Sequence, residues 1–70
     1  MQYTIEAREL ASPSTLRTIV EARDENEAIT RYVRDSAAEL VSFTTPPRGA
    51  ESIATVKKKD SVYLVRIYAA

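Results

Sequence analysis

The run Ser61-Val62-Tyr63-Leu64-Val65-Arg66-Ile67-Tyr68 constrains this chain more than any other stretch. From Val62 to Tyr68 every residue but Arg66 is apolar or aromatic, and the content of Val, Ile and Tyr favours an extended strand. The run is too short for an independent helix. Tyr63, Val65 and Ile67 point to one side of such a strand, while Val62, Leu64, Arg66 and Tyr68 point to the other. A strand apolar on both sides belongs in the middle of a sheet, because an edge or half-solvated strand alternates. The other elements are therefore expected to pack around it.

The start of the chain does alternate. Gln2 to Arg8 sets Tyr3, Ile5 and Ala7 on one face and Gln2, Thr4, Glu6 and Arg8 on the other, the pattern of a half-buried strand. Ala11-Ser12-Pro13-Ser14 is turn chemistry and Thr15 to Ala22 reads as the return strand, so residues 2–22 predict a β-hairpin. The period then changes. Ala28, Ile29, Tyr32, Val33, Ser36 and Ala37 recur at the spacing of one helix face. Asp24 fits the N-cap, Glu27 three residues later fits a capping box, and the acidic first turn suits the helix dipole. These features predict a helix over residues 25–36, with Glu27 and Arg31 spaced for an ion pair. Its C-terminal end is unmarked, since no glycine follows and Ala37-Ala38-Glu39-Leu40 could continue it. Leu40 to Thr45 reads as a third strand and Thr45-Pro46-Pro47-Arg48-Gly49 as a loop. Ser52 to Lys57 reads as a fourth strand, joined to the last through Lys58-Lys59-Asp60.

The order ββαβββ predicts a two-layer α+β domain, one helix packed on a mixed sheet of four or five strands, and a single domain over residues 1–70. This layout resembles the β-grasp (ubiquitin-like) fold. The likeness lies in the N-terminal hairpin, in the acidic cap that follows the second strand (Glu21-Ala22-Arg23-Asp24), and in the apolar final strand. It implies a last strand lying centrally beside the first. Ubiquitin-like modifiers and sulfur carriers end in Gly-Gly, whereas this chain ends Ala69-Ala70, so conjugation chemistry is not expected.

Composition removes several chemistries. There is no cysteine and no histidine, hence no thiolate metal site and no imidazole base at neutral pH. No serine has a base of that kind to activate it, and Gly49 alone cannot build a phosphate loop. Asp24, Glu25 and Glu27 are accounted for by helix capping. The chain is therefore expected to be no enzyme and to carry no cofactor or metal. Ten basic and ten acidic residues cancel, which gives no global attraction to nucleic acid or to an anionic membrane. No apolar run approaches the length of a membrane span and the start does not read as a signal peptide, so a cytoplasmic protein with no membrane partner is expected.

With one helix, only one sheet face can be covered. Val62, Leu64, Arg66 and Tyr68 would then form an open, mixed face, and exposed apolar groups mark partner surfaces. The expectation is a small non-catalytic protein-interaction module that binds a protein partner or its own copy through that face. An alternative is nucleic-acid or phosphate binding by Arg48, Lys57, Lys58 and Lys59 around the basic turn. Another is a phage or operon accessory regulator of a host enzyme.

Overall fold

A computed structural model describes residues 1–12, 14–44 and 51–70. Their elements are β1 (Gln2–Glu9), β2 (Thr15–Glu21), α1 (Glu25–Asp35), β3 (Glu39–Thr44), β4 (Ser52–Lys58) and β5 (Ser61–Ala69). The strands form one five-stranded sheet in the order β2-β1-β5-β4-β3, and α1 packs across β1, β2, β5 and β4 on one face. β5 is central, hydrogen-bonded to β1 on one side and β4 on the other, as its two-sided apolar character demands.

The sheet is antiparallel throughout, which corrects the expectation of a mixed one. The connections explain why. α1 carries the chain from β2 at one edge across the face to β3 at the other edge, so β2 and β3 run in the same direction without touching. Two successive antiparallel pairings, β3 with β4 and β4 with β5, then reverse the chain twice, and β5 arrives antiparallel to β1. The last strand still lies beside the first.

The covered face is assembled by register. Ile5 pairs with Ile67, Ala7 with Val65, Ala54 with Val65 and Val56 with Tyr63. Ile5, Val65, Ile67, Val56 and, from the helix, Ile29 and Ala28 are essentially sealed from solvent. This alignment places the odd-numbered side of β1 and of β5 in one core, as alternation predicted.

The N-terminal end of the helix is locked by chemistry close to, but not identical with, the expected. Asp24 Oδ1 accepts the Glu27 N–H at 2.9 Å, the N-cap bond. The return arm differs: Glu27 Oε1 accepts the Arg23 N–H at 2.9 Å, one residue upstream of the cap amide that a capping box would bind. Glu27 also pairs with Arg23 at 3.0 Å and with Arg31 at 3.7 Å. At the other end Ala38 N–H donates to Val33 O at 2.9 Å and Ala37 N–H to Arg34 O at 3.2 Å. Those two bonds are a Schellman motif, with Ala37 at φ 53 in the left-handed position usually given to glycine. The helix stops at Asp35 and β3 begins at Glu39, so Ala37 to Leu40 do not continue it. β3 is bulged between Leu40 and Ser42. The expected loop Thr45 to Gly49, with Arg48, lies outside the described residues.

Candidate functional site

The face opposite α1 carries no second layer among the described residues. Register arranges its side chains in cross-strand rows. One row reads Ser42, Thr55, Leu64, Arg8, Thr15 from β3 to β2, and the next reads Thr44, Ile53, Arg66, Glu6, Arg17. A third sets Tyr68, Thr4 and Ile19 side by side. Alternation fixes which side each residue takes, and pairing fixes its neighbours.

The second row is an ion network centred on Glu6. Its carboxylate accepts Arg17 Nε at 2.8 Å, Arg66 Nη1 at 3.0 Å and the Tyr68 hydroxyl at 3.4 Å. Arg66 continues outward over β4, giving Nε and Nη2 to the two oxygens of Glu51 at 3.0 and 2.7 Å, a bidentate fork. Its guanidinium also lies 5.9 Å from the centre of the Tyr68 ring. The Glu6 side chain is only 13% exposed, while Arg17 and Arg66 remain more than half exposed and roof it. The Arg17 hydrogen bond, with the charges of Arg17 and Arg66, holds the Glu6 carboxyl below the ordinary carboxylate value against the opposing effect of desolvation. Arg66 is pushed up, chiefly by its hydrogen bond to Glu51.

Beside this network the face is apolar and exposed. Ile53 and Leu64 are diagonal neighbours on β4 and β5 and keep 50% and 43% of their surface. They border a shallow depression of about 420 Å3 whose rim carries Arg8, Thr15, Glu6 and Arg66. Of the four residues expected here, Leu64 and Arg66 are exposed and Val62 and Tyr68 are half-buried; all four share the open side.

The basic turn is arranged differently. Lys57 pairs with Val62 on the open side and Lys58 pairs with Ser61 on the side of the helix, while Lys59 sits in the two-residue turn at φ 55. Strand alternation therefore separates the three lysines in direction. Among the described residues no group of three or more histidine, cysteine, aspartate or glutamate residues is placed to hold a metal ion, and no helix is long and apolar enough to cross a membrane.

Three members of this network were not singled out by sequence reasoning: Glu6, Glu51 and Arg17. Parity alone places Glu6 and Arg66 on the same side of the sheet. The missing signal was the register Glu6↔Arg66, which no local pattern states. Compared with protein-family models, with curated proteins and with solved structures, the chain matches none.

Proposed function

We propose that this chain is a non-catalytic protein-interaction module and that its open sheet face is the surface that engages another protein. The observation that carries the reading is the pair Ile53 and Leu64, adjacent, large, apolar and half-exposed in the interior of an uncovered face. Interfaces commonly join such an apolar patch to a polar rim. Here the rim is Arg8 on one side and the Glu6–Arg66–Glu51 network on the other. That network fixes the orientation of the Arg66 guanidinium before any partner arrives, which lowers the ordering cost of association. Lysines 57–59 diverge around their turn, so phosphate binding by that segment has less support. The element order and the central last strand keep the likeness to β-grasp domains, and the antiparallel β1–β5 pair departs from the mixed sheet expected from that order.

The experiment is site-specific photo-crosslinking with a photoreactive residue at position 64, compared with position 30 on the exposed side of α1. A discrete adduct at position 64 only, abolished by Ile53→Asp in a folded protein, is the expected result. Adducts of equal yield at both positions, or one that survives Ile53→Asp, would remove the open face from consideration.

A further inference from the structure

The two edges of the sheet are not equivalent. β3 is interrupted by its bulge, the usual device that discourages pairing with another chain. β2 has no such interruption: its register with β1 is continuous from Thr15 to Glu21, it contains no proline, and Leu16 and Ile19 are 66% and 55% exposed. The direction of its backbone groups follows from one bond. Ala22 N–H donates to Met1 O at 2.9 Å, and hydrogen bonding alternates along an antiparallel strand. Leu16, Thr18 and Val20 therefore turn their amides and carbonyls toward β1, while Thr15, Arg17, Ile19 and Glu21 present theirs outward. The outward row reads cation, isoleucine, anion. Rotated by half a turn, that row meets its own complement.

We propose that a second copy of this chain adds antiparallel to β2, in the register that sets Ile19 against the partner's Ile19. Arg17 then faces the partner's Glu21, and Glu21 faces the partner's Arg17, giving two cross-strand ion pairs around one isoleucine pair. On the other side Thr18 meets the partner's Val20 and Leu16 meets the partner's Ala22. Neighbouring registers that also match the outward backbone groups are poorer. Centring on Thr18 sets Arg17 against the partner's Ile19, and centring on Arg17 sets like charges directly opposite. Arg17 gives its Nε to Glu6 at 2.8 Å and Glu21 Oε1 accepts the Met1 ammonium at 3.1 Å, yet the two side chains stay 67% and 71% exposed at the edge, where both can face a partner strand. The two-fold joins the five-stranded sheets into one, with both helices on one side and both open faces continuous. This pairing does not depend on what the open face binds.

The test is sedimentation equilibrium over a wide concentration range, with circular dichroism to verify folding. Wild type is expected to dimerise reversibly. Arg17→Glu and Glu21→Arg each place like charges opposite in a homodimer, and each should raise the dissociation constant about tenfold or more. Mixed together, the two variants restore both ion pairs and should form a heterodimer as tight as the wild-type dimer. Ile19→Pro removes the central isoleucine side chain and an outward N–H, a loss that an edge strand tolerates, and should give a folded monomer. Leu64→Asp, on the open face, should leave the dimer intact. A wild type that is monomeric at every concentration, single variants that dimerise like wild type, or a mixture no tighter than its components would each overturn the proposal. The charge-exchange pair decides whether or not Ile19→Pro folds.

Discussion

β5 presents two sides to two different environments, and the contrast shows what orders each. Toward α1, Val65 and Ile67 are fully buried against Ile5, Ala7 and Ala54. Away from it, Leu64 and Arg66 in the same strand, held by the same ladder, stay exposed. The difference is the helix. Burial stabilises the covered side in proportion to apolar area withdrawn from water. The open side is organised instead by charge-assisted hydrogen bonds around Glu6, which face solvent and are screened by it. One side is ordered by packing. The other is ordered by charge and stays open to solvent.

The sharpest way to break this contrast is to remove equivalent methyl groups from the two sides. Ile67→Ala opens a cavity under the helix and should cost about 2–5 kcal/mol of unfolding free energy, enough to unfold a domain this small under mild denaturant. Leu64→Ala should cost less than about 1 kcal/mol, because its side chain is already half in water. Urea unfolding of both variants measures the difference. Equal losses would mean that the open face is covered in solution.

The next effect concerns the helix that creates the difference. Asp24→Ala removes the acceptor for the Glu27 amide and should destabilise by about 1 kcal/mol. Ala37→Gly relieves a left-handed residue that carries a Cβ and should stabilise by about 1 kcal/mol. Thermal melts should move in opposite directions for the two. If they move together, the caps do not control how firmly α1 is seated on the sheet.

How much of this was legible in the chain depends on how local the physics is. The strands, the helix and its N-cap were readable because periodicity and capping are encoded over a few residues, as in Tyr3-Ile5-Ala7 and Asp24-Glu27. The end of α1 was not, since its Schellman motif uses Ala37 where the recognisable signal is glycine. The antiparallel arrangement was also hidden: it follows from where α1 delivers β3, and no residue in either strand states that. In the candidate site, Leu64 and Arg66 were visible from the parity of one strand. Glu6, Glu51 and Arg17 became members only when long-range register brought Glu6 beside Arg66, with Arg17 and Glu51 on either side.

The smallest predicted effect separates the two sides by their response to acid and salt. Glu6 and Glu27 both have carboxyl groups held below the ordinary value, so their folded forms bind protons less readily than the unfolded chain. Each contribution is complete above the unfolded carboxylate value and is lost as pH falls through the lowered folded value. Stability should therefore drop on acidification in that window, and Glu6→Gln or Glu27→Gln should each flatten the drop. Salt should then distinguish them. Glu6 is held down by Arg17 and Arg66 on the open face, and its part should shrink as ionic strength rises. Glu27 is held chiefly by the backbone amide of Arg23, a bond that mobile ions screen less, and its part should persist. Denaturant unfolding of the two variants across the acid range, at low and high salt, reads this directly. Equal salt sensitivity at both positions would show that the open face is no more dependent on charge than the helix cap is.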